Sequence, residues 1–196
     1  MADLVTLAQY KEAEGISSSK DDLRFNTIIP SVSELVKTYC GISFVDFYSS
    51  NKTETFTVDW DTYVVQLTES PVNSIVSVQE RETYGGSYTT LTPSDSEYYL
   101  ESSTDSILRT NDSGRYQNWP KGVGAVKVVY TGGYSEVPAD LKLAVLDLIT
   151  YYYKDEHKQR QSIAGASLQN QGSSSQRMNV GFPDHIKRVL DLYKNF

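Results

Sequence analysis

"VVYTGGYSEVPADLKLAVLDLITYYYK", Val128 to Lys154, decides the fold class because its apolar period changes halfway along. Val128 to Thr131 reads as the end of a β-strand. Pro138 then opens a helix whose apolar positions Leu141, Ala144, Val145, Leu148, Ile149 and Tyr152 fall at three- and four-residue steps. Between the two lies Gly132-Gly133-Tyr134, a glycine turn of the kind that also builds phosphate sites. The flanking residues argue against a phosphate. A P-loop needs a Lys and a hydroxyl at the helix start, whereas this turn offers Glu136 and Asp140, which repel anions and satisfy the helix dipole internally. No G-x-G-x-x-G is present, and "KGVGAV" at Lys121 to Val126 leads into a strand where a Rossmann loop leads into a helix. Gly132, Gly133, Tyr134 and Pro138, with Trp119 and Pro120 just upstream, are therefore expected to form a structural corner.

Upstream of this point the period is two. "TETFTVD", "YVVQL", "SIVSVQE", "YYLES", "SILRT" and "AVKVVYT" read as strands separated by turn signals such as "YGGS" and "NDSG". Short strands joined by hairpins predict an antiparallel sheet or small barrel, since the helix-strand alternation of a parallel sheet is absent. At the start, Thr6 and Gln9 have the capping-box form and predict a helix over about 7–14, closed near Gly15. A second helix over about 20–40 is expected to present Leu23, Ile28, Val32, Leu35, Val36 and Tyr39 on one face. Pro30 should kink or break it near Ile29.

The expected organisation is α+β: a small helical bundle with an inserted antiparallel sheet or barrel, plus a tethered C-terminal helix. Residues 1–161 form the main domain, with helices near 7–14, 20–40 and 138–160 and the β insertion near 53–131. Residues 162–181, which include the Gly/Ser-rich Ser162 to Gln176, read as a flexible tether. Residues 182–196 read as a docking helix, with Ile186, Val189, Leu190 and Tyr193 on one face. Such a helix docks either on its own domain or in a partner's groove.

The 196 residues carry a formal charge of −7, which argues against a protein that coats nucleic acid. From Thr53 to Asp112 there are eleven acids against two bases, a net of −9. From Pro138 to Phe196 there are six acids against eight bases, a net of +2. Charged strand edges explain the acidic middle as readily as a functional surface does. No apolar run reaches the length of a membrane span, and no secretory signal is expected from "MADLVTLAQYKEAEG". The single cysteine, Cys40, excludes an intramolecular disulfide and reads as an inert buried thiol. His157 and His185 do not share a metal-ligand spacing, and no H-E-x-x-H, C-x-x-C or G-x-S-x-G motif occurs. The expectation is a protein without catalytic, cofactor-binding or metal-binding residues.

Four segments, in order, resemble the head–tail connector (adaptor, or head-completion) proteins of tailed bacteriophages. "LVTLAQYKEAEGISSSKDDLRFNTIIPSVSELVKTYCGISF" resembles the family's opening, whose helix ends in Y-x-G-x-x-F, here Tyr39, Gly41 and Phe44. "LTESPVNSIVSVQE" is similar to its L-x-x-x-P-V-x-S-I-x-S-V, through Leu67, Pro71, Val72, Ser74, Ile75, Ser77 and Val78. Trp119, Pro120 and Gly122, followed by Tyr130, Gly133, Tyr134, Val137, Pro138, Asp140, Leu141, Lys142 and Ala144, resemble its W-P-x-G and Y-x-x-G-Y-x-x-V-P-x-D-L-K-x-A block. Pro30 and the arginine-poor "KDEHKQR" depart from the family pattern.

The resemblance implies a non-enzymatic virion protein, a homo-oligomeric ring of twelve copies below the portal. Such a ring extends the DNA channel without binding DNA specifically and meets the next neck or tail protein, a stopper or terminator. It resides in the virion neck, and in the host cytoplasm during assembly, with no membrane association. The tethered helix, through Phe182, Ile186, Arg188, Val189, Leu190, Tyr193 and Phe196, is the expected portal contact. Two other readings stay open: a tail-completion or other neck protein, and a carbohydrate-binding module of a tail particle using Trp60, Tyr63 and Trp119.

Overall fold

The computed structural model describes residues 2–154 and 182–194. The expected tether, His157 and Phe196 lie outside the described residues. The chain divides into two compact units: a helical one of Met1–Gly41 with Val137–Phe196, and a β one of Ile42–Glu136, placed in sequence between two helices of the first.

The helical unit begins with α1 (Leu7–Ala13), capped as the sequence predicts. The Gln9 amide donates to Thr6 Oγ1 at 3.2 Å, and the Thr6 amide donates to Gln9 Oε1 at 3.0 Å, so two amides that a helix start leaves orphaned are satisfied reciprocally. α2 (Asp22–Cys40) ends at Gly41, whose φ of 77° is the left-handed cap that glycine supplies without steric cost. It runs through Pro30 without the expected break. Pro30 sits on the exposed side, where water can serve a carbonyl deprived of its helical partner.

The buried stripe of α2 is Phe25, Ile29, Val32, Val36 and Cys40, rotated from the expected one. Leu23 is 86% exposed, and Ile28, Leu35 and Tyr39 are only half-buried. Aromatic packing sets the rotation: Phe25 lies 4.9 Å from the Tyr10 ring and 4.6 Å from that of Tyr153. α3 (Ala139–Tyr153) buries Leu141, Ala144, Val145, Leu148 and Ile149, as the periodicity requires, with Pro138 at the N-cap. α4 (Asp184–Leu192) packs against α2 and α3.

The β unit holds seven strands: β1 (Lys52–Val58), β2 (Val64–Gln66), β3 (Val72–Glu80), β4 (Thr89–Leu91), β5 (Tyr98–Glu101), β6 (Ser106–Arg109) and β7 (Gly122–Gly132). They form two antiparallel sheets, one in the order β1-β7-β3-β4 and the other β2-β6-β5, with no closed barrel. β4 has only three residues and escaped the strand pattern. The inner faces of both sheets share one core, including Val65, Leu67 and Ile107 from one side and Val78, Val126, Val128 and Tyr130 from the other. Each such aliphatic side chain contributes about 1.5–3 kcal/mol by leaving water. An Arg109–Glu80 pair ties the sheets together, with Nε to Oε2 at 3.0 Å and Nη2 to Oε1 at 2.9 Å. The remaining guanidinium nitrogen donates to the Glu97 and Thr110 carbonyls.

Candidate functional site

The Gly132–Tyr134 corner closes the end of the four-stranded sheet at which the chain enters and leaves the β unit. Consecutive amides find partners in three segments: Gly132 on the Phe47 carbonyl (3.0 Å), Gly133 on that of Pro71 (2.8 Å) and Tyr134 on that of Phe44 (2.6 Å). Asn73 Nδ2 donates to the Gly133 carbonyl at 2.9 Å. Gly133 adopts φ +91°, and a Cβ there would lie 2.1 Å from the Phe44 carbonyl oxygen. The amides that an anion would need are all committed to backbone carbonyls, so the corner is architectural. Trp119 is 2% exposed, packed in the shared core within 5.9 Å of the Arg109 guanidinium. It therefore cannot join Trp60 and Tyr63 in a sugar-binding platform. Half-buried Pro120 follows it, and Pro138 caps α3 in the helical unit.

Beside the corner lies an ionic network that the sequence did not reveal. Glu69, 3% exposed, accepts from Lys52 Nζ at 2.9 Å and from the Ser43 amide at 2.9 Å. Lys52 also pairs with Glu54 at 3.0 Å, and the Tyr130 hydroxyl donates to Glu54 at 2.8 Å while accepting from the Glu69 amide. Burial works to lower the Lys52 pKa, but hydrogen bonds to Glu69 and Glu54 outweigh it and hold the ammonium above its ordinary value. Burial, reinforced by Glu54, pushes the Tyr130 phenol upward. These groups pair with one another. Among the described residues no cluster of three or more His, Cys, Asp or Glu is placed to hold a metal ion, and no helix is long and apolar enough to cross a membrane.

The expected portal-contact residues divide in two. Phe182, Ile186 and Leu190 are buried in the helical unit, where Phe182 meets the Tyr39 ring edge-on at 5.0 Å and the Leu190 carbonyl accepts from Cys40 Sγ at 3.6 Å. Burial lifts the Cys40 thiol to about 12. Val189 and Tyr193 are half-buried, and Arg188 is exposed. Tyr193 donates to Asp140 at 2.6 Å and so holds that carboxyl below its ordinary pKa. The outward face of α4 adds Leu192, 77% exposed, which lies outside the apolar stripe and which periodicity therefore missed.

Two surfaces of the β unit stand apart from its overall charge of −7, thirteen acids against six bases over residues 42–136. The outer face of the larger sheet carries Thr53 and Thr55 from β1, Lys127, Val129 and Thr131 from β7, and Ser74, Ser77 and Gln79 from β3, in register. Hydrogen bonds between the Ser74 and Thr131 hydroxyls and from Gln79 to Thr90 mark the same face. None of these residues is a carboxylate; Glu54 and Glu80 point inward to Lys52 and Arg109. At the end of the sheet opposite the corner, Trp60, Tyr84 and Tyr116 stand exposed.

A family model described as "Head completion protein" matches residues 3–196. The chain belongs to the head completion protein family. A curated relative, the head completion protein of Escherichia phage T5, is 28% identical over 122 residues, covering 54% of this chain and 69% of its own. The fold is similar to that of a chain in the neck of an empty GTA particle computed with C6 symmetry, with a TM-score of 0.62 at 13% identity, covering 98% of this chain and 90% of that one. A chain from the neck of a native GTA particle computed with C12 symmetry gives a TM-score of 0.56 at 14% identity, with 100% and 94% covered. As a head completion protein the chain is a structural component of a virion.

Proposed function

We propose that this head completion protein forms a ring of identical copies below the portal, where it extends the DNA channel and joins the head to the next neck or tail protein. The observation that carries the reading is a family match running through both compact units, from residue 3 to residue 196. The protein's work in this reading is assembly, without catalysis. Charge placement supports it. Copies of a β unit at −7 repel one another, and side-by-side contact is cheapest through a face without carboxylates, which the larger sheet provides.

The outward face of α4, with Arg188 and Leu192, is the proposed portal contact. Truncation after Gln176 is a poor test of it, because Phe182, Ile186 and Leu190 would leave the helical core. Arg188→Glu with Leu192→Asp changes only exposed positions. Mass photometry of the protein mixed with its portal should give a ring-sized complex, lost in the double variant while its circular dichroism is unchanged. A wild-type monomer that ignores the portal would overturn the ring reading. A double variant that still binds would move the contact elsewhere.

A further inference from the structure

Four of the six exposed aromatic residues of the β unit, Trp60, Tyr63, Tyr84 and Tyr116, gather at one end of the larger sheet; Tyr48 lies beside the corner and Tyr99 on β5. The C-terminal ends of β1 and β3 and the N-terminal ends of β4 and β7 all point the same way in this antiparallel order, away from the Gly132–Tyr134 corner. Trp60 follows β1 and is 68% exposed; Tyr84, on the β3–β4 hairpin, is 76% exposed; Val123, at the start of β7, is 60% exposed. Tyr63 and Tyr116 stack at 4.4 Å beside them.

Hydrogen bonds fix these loops to one another. Asp61 pairs with Lys121 at 2.9 Å, the Trp119 amide donates to the Thr62 carbonyl at 2.8 Å, and Arg81 Nη2 donates to the Val123 carbonyl at 3.1 Å. Arg81 also binds the Gly124 carbonyl and lies against the Tyr84 and Tyr88 rings, at 5.3 and 4.7 Å. The end is thus preorganised, which lowers the ordering cost of binding.

We infer that this aromatic end is the docking surface for a protein other than this chain, one that presents apolar pockets rimmed by lysine or arginine. The inference rests on the neck reading above and names the surface that meets the adjoining component. Area supports a protein partner: Trp60, Tyr63, Tyr84, Tyr116 and Val123 together expose roughly 600 Å² of side chain, against about 800 Å² contributed by each side of a standard interface. The composition, Trp and Tyr with Arg81 and Arg115 nearby, is that of binding hot spots. Charge sets the partner's sign. With Asp61 and Lys121 paired, the end retains Asp59, Glu82 and Asp112 against Arg81 and Arg115, a net of −1, and Arg81 is drawn in against the Val123 and Gly124 carbonyls. The acidic excess disfavours the phosphates of DNA and offers a second copy of the same end no complementary charge.

The test is site-specific photocrosslinking in assembled particles, with p-benzoylphenylalanine in place of Trp60, Tyr84 or, separately, Thr55 on the carboxylate-free face. Positions 60 and 84 should each yield an adduct of this chain with a different virion protein, and Asp59→Lys with Glu82→Lys should reduce that adduct several-fold. Adducts at multiples of the chain's own mass, or with DNA, from positions 60 and 84 would overturn the inference. So would particles that contain the protein but give no adduct at either position. Glycan binding by the purified protein, abolished by Trp60→Ala, would overturn it in favour of a sugar platform. Failure of the neck reading looks different: the chain is then missing from particles altogether. Loss of self-adducts from Thr55 alone would bear only on the ring contact.

Discussion

Gly133→Ala tests whether the corner is as tightly determined as its geometry indicates. Two costs add there. The first is the left-handed backbone, φ +91°, which charges a residue with a Cβ about 1 kcal/mol relative to glycine. The second is steric: the new Cβ would lie 2.1 Å from the Phe44 carbonyl oxygen, a backbone atom held in place because that oxygen accepts the Tyr134 amide. Relief requires moving Phe44, itself fully buried with φ 65°, or breaking the 2.6 Å bond to Tyr134.

A broken buried hydrogen bond with disturbed packing costs a further 2–3 kcal/mol or so, giving a total of about 3–4 kcal/mol. Gly114 separates the two contributions. Its φ is +68°, but nothing lies within 4 Å of the point a Cβ would occupy, so Gly114→Ala should cost only about 1 kcal/mol. The readout is urea unfolding followed by tryptophan fluorescence. Both tryptophans, Trp60 and Trp119, lie in the β unit, and Trp119 is buried in its core, so the signal reports that unit's unfolding. Equal destabilisation by the two substitutions would refute the reasoning, because the corner would then relax around a methyl group at no cost.

Other outcomes follow from the same contacts. Glu69→Leu should destabilise the β unit by about 2–4 kcal/mol in the same assay, since it strands the Ser43 amide and half-uncouples Lys52, whereas Glu54 keeps part of the lysine's pairing. Leu190→Ala should cost the helical unit about 2–5 kcal/mol by thermal circular dichroism, whereas Leu192→Ala, on the exposed side of the same helix, should change its stability by no more than about 0.5 kcal/mol. Cys40 should resist alkylation at pH 8 until the protein is unfolded. Because its folded pKa is raised from 9.0 to about 12, its contribution to stability is complete below about pH 9 and fades as the pH climbs toward 12; Cys40→Ala should remove that part of the alkaline loss. Tyr193→Phe should let the Asp140 carboxyl titrate nearer its ordinary value, visible by NMR. The stability it supplies in the wild type is present above the ordinary carboxylate pKa and lost as the pH falls through the lowered one.

What the sequence made legible was whatever periodicity or a cap encodes locally. α3 has a buried set identical to its 3.6-residue stripe except for half-buried Tyr152, because Leu141, Ala144, Val145, Leu148 and Ile149 form one continuous stripe whereas Leu143 stands alone on the other side. α1 was readable from two residues of a capping box. α2 was harder. Its sequence holds two competing apolar stripes, and Phe25 with Ile29 won over Leu23 with Ile28 because Tyr10 and Tyr153, distant in sequence, supply aromatic partners on that side. The ionic network was invisible for a related reason. Lys52, Glu54, Glu69 and Tyr130 belong to two paired strands and the segment before β3, so their meeting depends on strand order, which no local pattern states. The aromatic end was likewise scattered across three loops until the antiparallel order brought the loops together.

The acidic excess of the β unit then has a physical reading more specific than solubility. Three of its thirteen carboxylates, Glu54, Glu69 and Glu80, are turned inward and matched by Lys52 and Arg109; the network's worth lies in fixing the segments around the corner, since an ion pair repays its desolvation only with such geometry. The remaining acids avoid the outer face of the larger sheet, and three of them, Asp59, Glu82 and Asp112, frame the aromatic end. In the proposed neck role, a subunit that sits beside copies of itself and also accepts a different protein needs two surfaces of different electrostatic character. A carboxylate-free face lets like approach like, and an acid-rimmed aromatic end rejects a second copy of itself while attracting a basic partner. If that division is correct, moving one acid onto the sheet face, as in Thr55→Glu, should weaken self-association and leave crosslinking at position 60 per assembled copy unchanged. Asp59→Lys should do the reverse. Particles in which both substitutions impair the same contact would show that the two surfaces are one.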